Sequence, residues 1–286
     1  MNIFLKKTSI FLILLVILNL IIFLPTNYLY NNKYINNVSG SDKSVFLLSD
    51  SHGHSLGKFT ETYNVKNLAT QSDSYVDMYR KLKFINKTTK VKKIYLSIGS
   101  RLFSEYRDVS NNNEKSVYLL NYSDYDSMSN FLLDQYIKRF FIYPTSKQHA
   151  YFTKYLIKKK LNIGKNYKRS IWEDLSYSER ALQASKKVEK YKYNTISKTQ
   201  ITYLKKIITF CKKNNIELVC VKFPLTKEFM SDPNFSTYNY SEIPELKSLK
   251  IIDYNKIYFG KTDFFKDQDH LSKKGAEEFS KILFSN

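Results

Sequence analysis

Short apolar runs, each stopped by a small polar turn, set the rhythm of this chain. Val45–Leu48 has the length and composition of a buried strand. It stops at Ser49-Asp50-Ser51-His52-Gly53, and a helical pattern follows over residues 55–62. Residues 63–69 predict a second short strand, which ends in Thr70-Gln71-Ser72-Asp73-Ser74. Val76, Tyr79 and Leu82 recur at helical intervals across residues 73–85, and residues 92–99 predict a third strand. Later in the chain, residues 197–213 form an amphipathic helix with Ile201, Leu204, Ile208 and Cys211 on its inner face. Residues 216–223 predict a fourth strand, stopped by Pro224, and residues 250–254 a fifth. Residues 275–283 predict the closing helix. Strands that alternate with helices imply a parallel sheet covered on both faces, so the expected class is α/β. Residues 103–193 interrupt the alternation. Their helical stretches, 128–141, 151–161 and 180–190, predict a helical insertion.

The N-terminus predicts a compartment. Lys6 and Lys7 precede an apolar run over residues 10–24, broken by Asn19 and closed by Pro25, with Tyr28 and Tyr30 at interfacial depth. A span needs about 20 residues, and Phe4, Leu5 and Leu29 extend this run toward that length. No small-x-small cleavage site follows it, and no Cys that could carry a lipid. The expectation is an uncleaved signal anchor over residues 1–30, held by its lysines in the cytoplasm, with the chain from about Asn27 facing outward. Polar, Asn-rich residues 31–43 are expected to be a tether, and residues 44–286 the catalytic domain with its insertion.

Charge changes this picture little. The formal net charge is +20, from 46 Lys and Arg against 26 Asp and Glu. The lysines are scattered and no nucleic-acid-binding motif is present, so a basic solvated surface is expected and nucleic acid is not a predicted partner. An anionic glycan or the membrane face fits the charge. Cys211 and Cys220 are expected to be buried thiols, and no metal-ligand spacing surrounds either.

The chemistry is expected at the turn after the first strand. Ser51 lies at the carboxyl edge of the sheet, where open α/β sheets keep their sites. A serine there is a nucleophile candidate if a base exists. The chain has four histidines: His52 and His54 in the same turn, His149 with no acidic neighbour, and His270 in Asp267-Gln268-Asp269-His270-Leu271-Ser272. One helical turn would stack Asp267 on His270. A carboxylate that orients an imidazole, and an imidazole that takes a hydroxyl proton, are what an activated serine needs.

Asp50-Ser51 after the first strand and Asp267-x-x-His270 before the last helix, followed by Leu271-Ser272 and Gly275-Ala276, resemble the ordered blocks of the SGNH/GDSL hydrolase superfamily. The resemblance covers about residues 45–99 and 196–283. It implies a flavodoxin-like three-layer α/β/α fold, with the five predicted strands in one mostly parallel sheet, and a Ser51–His270–Asp267 site for acyl ester chemistry without cofactor or metal. Two blocks depart from the family pattern. Ser72 stands where the family has an oxyanion Gly, and Arg101 where it has an oxyanion Asn. On this reading the backbone N–H groups of Ser51 and Ser72, joined by the guanidinium of Arg101, hold the oxyanion. Asp50 holds its turn through backbone hydrogen bonds, His52 lines the pocket or caps the turn, and Asp269 is a solvated acid. Asp-Ser-His in the first block and Arg after the third strand are similar to the SGNH domains of bacterial polysaccharide O-acetylation systems. That likeness implies an acylated polysaccharide as substrate and a multi-pass membrane acyltransferase as partner. Two other readings remain. Asp50-Ser51-His52-Gly53 also looks like the opening of a metallophosphoesterase, although that family's later Gly-Asp, Gly-Asn-His and Gly-His-x-His elements are missing. The chain is otherwise a non-catalytic glycan-binding scaffold with a degenerate SGNH fold.

Overall fold

The computed structural model describes residues 2–28, 32–40, 42–137, 154, 157, 171–191, 195–236 and 243–285. Most of the helix expected over 151–161, the end of the one expected over 128–141, and His149 lie outside the described residues. The chain divides into two compact units: Met1–Asn37 with Glu114–Lys168, and Val38–Asn113 with Arg169–Asn286.

In the first unit, helix α1 spans Asn2–Asn27, and its segment Ile3–Ile21 is long and apolar enough to cross a membrane. Asn19, the polar break in the run, donates from Nδ2 to the Leu15 carbonyl at 2.8 Å and so meets its need within the helix. The helix runs through Pro25, where a stop was expected. A proline in the last turn forfeits a single backbone hydrogen bond. The same unit holds the α-turn Met128–Leu132, which continues as a π-turn, Leu133–Ile137. The expected tether is partly helical, as α2, Lys33–Val38.

The second unit is built on five parallel strands, β1 (Val45–Leu48), β2 (Val65–Asn67), β3 (Lys93–Ser97), β4 (Glu217–Lys222) and β5 (Lys250–Asp253), in the order 2-1-3-4-5. The central strands β1, β3 and β4 carry near-continuous buried apolar runs, as strands covered on both faces must. Its main helices are α3 (Ser51–His54), α4 (Tyr75–Thr88), α5 (Ser100–Phe103), α6 (Tyr106–Val109), α7 (Tyr177–Tyr191), α8 (Lys198–Lys213) and α9 (Lys273–Phe284). Ser74 caps α4 in a reciprocal box with Asp77, Ser197 caps α8, and Ser272 caps α9. Helix α4 packs on α8, with the Tyr79 ring edge-on to Tyr203 and Phe210. Helix α9 packs on the 3₁₀ turn Gly57–Tyr63. Its Phe279 is buried among Phe223, Tyr254 and Tyr258, and Trp172 belongs to the same core. Cys211 on α8 and Cys220 in β4 are free and buried.

Two local expectations are corrected. The helix expected over 55–62 is a 3₁₀ stretch, Gly57–Tyr63, and the α-turn α3 precedes it. Gly57 opens the stretch with φ +54°, a conformation no α-helix continues through. Asp267 and His270 are not on a helix: the carboxylate folds back and accepts from the backbone N–H of Asp269 and His270 at 3.2 and 3.0 Å. An Asp side chain that bonds its own following backbone competes with helix formation.

Gly275, in the first turn of α9, leaves no room for a side chain. A Cβ there would lie 2.1 Å from the Phe264 carbonyl oxygen. Gly275→Ala is expected to destabilise the unit by about 1–3 kcal/mol through overpacking. Denaturant unfolding that matches wild type would contradict the packing of α9.

Candidate active site

The strand order places β1 between β2 and β3, so the connections after β1 and β3 diverge to opposite sides. Open α/β sheets bind their ligands in the crevice beyond such a divergence. β1 ends at Leu48, and Asp50 then caps α3 by accepting from the His52 N–H at 3.1 Å. Gly53 lets α3 lie against the strand end, since a Cβ there would be 2.4 Å from Ser49 Cβ. Because Asp50 is the cap, Ser51 is released from that role. Its hydroxyl has no hydrogen-bond partner among the described residues, and it lines a cavity of about 490 Å³.

His270 lines the same cavity, although it lies more than two hundred positions away in sequence. Its Nδ1 is 2.8 Å from Asp267 Oδ1 and 3.1 Å from Asp269 Oδ1. Its Nε2 is buried without a hydrogen-bond partner. That is the nitrogen a neighbouring hydroxyl would use. Burial opposes a charge on this ring, but the carboxylate of Asp269 and the hydrogen bonds that the ring donates to Asp267 and Asp269 outweigh it. The His270 pKa is raised to about 9. No hydrogen bond joins Ser51 to His270, and catalytic contacts of this kind commonly tighten only when substrate binds.

Asp269 was expected to be a solvated acid, and this is corrected. Its carboxylate is fully buried. Oδ2 accepts from the Tyr191 hydroxyl at 2.6 Å, and Lys187 Nζ lies 3.8 Å from Oδ1. Burial would raise its pKa, but His270 and then His52 and Lys187 hold it well below the usual range. Tyr191 comes from α7, so a residue of the expected insertion reaches His270 through this acid. Nothing in Asp-x-Asp-His shows which carboxylate will be buried, because burial depends on a helix eighty residues earlier.

Arg101 was expected as an oxyanion donor, and its geometry is different. Nε and Nη2 grip Asp50 at 2.9 and 2.6 Å, and the side chain does not line the cavity. Arg107 on α6 bonds the other side of the same carboxylate. Asp50 is entirely buried, and an isolated buried carboxylate is costly enough to demand such partners. Burial pushes its pKa up, but Arg101, His52 and Arg107 hold it well below the usual range. Arg107 was not singled out from the sequence, and it does line the cavity. His52 does not. It is buried, with Nδ1 3.2 Å from Asp50, and burial and Arg101 lower its pKa to about 4, so it is neutral. His54 faces the cavity instead.

Ser72 also lines the cavity, and its φ is +70°. This left-handed conformation is the one glycine adopts freely, at the position where the family pattern has Gly. The strained turn is held from behind. Lys81, fully buried, donates to the Leu68 carbonyl, to Thr70 Oγ1 at 2.8 Å and to Asp73 Oδ2 at 2.6 Å. Asn112 donates to the Gln71 carbonyl at 2.7 Å and to Asp73 Oδ1 at 2.8 Å. A backbone conformation of this cost persists only where its surroundings over-determine it.

One further arrangement is present. His52, Asp269 and His270 bring ligand atoms within 4.8 Å of one another, enough to hold a metal ion. Each imidazole has a carboxylate at Nδ1 and an unpaired Nε2, the second-shell pattern of metal-bound histidine. An ion on His270 Nε2 would occupy the atom that Ser51 needs. Comparison with known proteins finds no matching family model and no matching curated sequence. Any family assignment therefore rests on the ordered motifs and this geometry.

Proposed function

We propose that the protein is a membrane-anchored, extracytoplasmic serine esterase or O-acyltransferase of SGNH type. Its substrates are acyl esters, acetyl foremost, of a cell-surface polysaccharide. The single observation that carries the reading is one cavity holding both a free Ser51 hydroxyl and an unpaired, carboxylate-oriented His270. Ser72, in a glycine-like conformation on the same wall, supports it. The strand order 2-1-3-4-5 is that of flavodoxin-like folds. Two helix groups, α4 with α8 and α9 with the 57–63 turn, suit the two outer layers of such a fold. Helix α1 suits an anchor, and its basic N-terminal turn suits a cytoplasmic start.

In the mechanism, Ser51 Oγ attacks the acyl carbonyl while its proton passes to His270 Nε2. The N–H groups of Ser51 and Ser72 face the developing oxyanion. His270 then returns the proton to the departing sugar oxygen, leaving an acyl-serine. Water or a second hydroxyl attacks that ester and gives its proton to His270, which passes it to Ser51 Oγ as the acyl–serine bond breaks. Water as acceptor gives hydrolysis, and a sugar hydroxyl gives transfer. Asp267 and Asp269 stabilise the imidazolium formed in each half-reaction.

The cellular test is mass spectrometry of surface polysaccharide from a strain carrying Ser51→Ala. Lost acyl groups mean a transferase, excess groups mean an esterase, and an unchanged acylation pattern counts against both. A metal-assisted hydrolase is the second reading, favoured by the three ligand atoms within 4.8 Å. Chelation separates the two. The serine reading expects ester hydrolysis to survive it, whereas loss restored by a divalent ion would favour the metal.

A further inference from the structure

The proposed chemistry does not specify the charge of the substrate, but the cavity wall carries information on it. Four of its lining residues, Arg107, Lys187, Lys266 and Lys273, are cationic, and Asp267 is its one carboxylate among the described residues. Asp267 is already committed to the His270 ring and backbone. Lysine is common on this protein, so abundance alone decides nothing. Among the described residues unpaired lysines also occur elsewhere, Lys58 and Lys66 among them, but along α9 and the turn before it the cavity lysines differ from their neighbours in pairing. Lys274 is bonded to Asp263, and Lys281 to Glu278. Lys273, beside Lys274 but lining the cavity, has no side-chain partner among the described residues, and neither has Lys266. Lys273 also occupies the first turn of α9, where no acidic residue offsets the positive end of the helix. A cation there is electrostatically unfavourable unless an anion joins it. An independent sign comes from Arg107. Its side chain is 3% exposed, its position is fixed by Asp50, and its Nε is buried without a hydrogen-bond partner. A buried guanidinium N–H facing no acceptor is costly, and a ligand oxygen would satisfy it.

We propose that this wall is a subsite for an oxyanion carried by the substrate, a carboxylate or a phosphate near the ester. The acylated glycan is then an acidic one. Arg107 supplies the fixed, desolvated contact, Lys266 and Lys273 supply mobile ones at the rim, and Lys187 closes the side next to Asp269. This rests on the proposal that the cavity accepts an acylated glycan, but it is tested by binding rather than turnover.

The experiment uses the full chain carrying Ser51→Ala in detergent, so that nothing is consumed. Calorimetry compares three probes: acetylated oligogalacturonate, an acetylated oligosaccharide phosphate, and neutral acetylated xylo-oligosaccharide. At least one acidic probe is expected to bind about tenfold or more tighter than the neutral one. That margin should collapse in 1 M salt, and which acid binds tighter identifies carboxylate or phosphate. Lys266→Ala with Lys273→Ala alters two exposed side chains, so its melting temperature should match the parent while the acidic preference falls about fivefold or more. Equal binding of acidic and neutral probes, or a preference untouched by the double variant, overturns the subsite. Wild-type enzyme without esterase activity, but with the acidic preference intact, would sink the catalytic reading and leave this one standing.

Discussion

Replacing His270 with Ala is expected to lower kcat/KM for a simple ester such as p-nitrophenyl acetate by about 10⁴-fold, the scale seen when a serine triad loses its base. The same histidine sets the pH profile. It acts as a base only when neutral, and its pKa is raised to about 9. On the proposed mechanism, the neutral form is then a small minority at pH 7. Wild-type kcat/KM should climb about tenfold per pH unit between 6 and 8 and level near 9. Asp269→Asn, which removes the larger charge beside the ring, should move that break toward lower pH, whereas a merely structural Asp269 would leave it in place. Stability runs the other way. A histidine whose folded pKa is raised contributes stability that is complete below about 6.5 and is lost as pH rises through about 9. Activity and stability should therefore oppose each other across this window. A flat rate profile from pH 6 to 9 would remove His270 from the role.

The second large effect is expected at Asp50. Asp50→Ala strands two buried guanidinium groups, Arg101 and Arg107, and removes the cap of α3. Taking one partner from a buried ion cluster costs about 3–5 kcal/mol, and denaturant unfolding would measure it. Asp50→Asn restores a capping oxygen but not the charge, so it should recover only a minor part. Since the folded pKa lies well below the ordinary value, the contribution of Asp50 is complete above the unfolded pKa of about 3.9 and is lost as pH falls through the folded value. Wild-type stability should therefore fall as the pH drops through this range, a slope that a variant lacking both arginines and Asp50 should not show. A loss below 1 kcal/mol in Asp50→Ala would mean that the cluster is not buried.

The sheet was legible because strands covered on both faces leave unbroken apolar runs, and all five fall within the segments their patterns mark. Helices α4, α8 and α9 were equally plain, each opening on a capping serine. The turn after β1 was less so: Gly57 opens a 3₁₀ stretch where the pattern marks a helix. Among the site residues, Ser51, Ser72, Asp267 and His270 stood out through their places in ordered blocks, and one cavity gathers all four. Arg101, Arg107 and Asp269 escaped correct reading for a common reason. Their roles are fixed by which charges become buried together, and that is decided between distant segments. Asp50 meets arginines 51 and 57 positions away, and Asp269 meets Tyr191 at 78. No local pattern records such distances.

Burial pushes both thiols, Cys211 in its helix and Cys220 in its strand, up to about 12. Both therefore stay protonated near neutral pH, and neither is bonded to the other. The fold thus owes nothing to a crosslink. Mild reductant should leave it intact, and folding should need no oxidative catalyst, whichever side of a membrane the domain occupies.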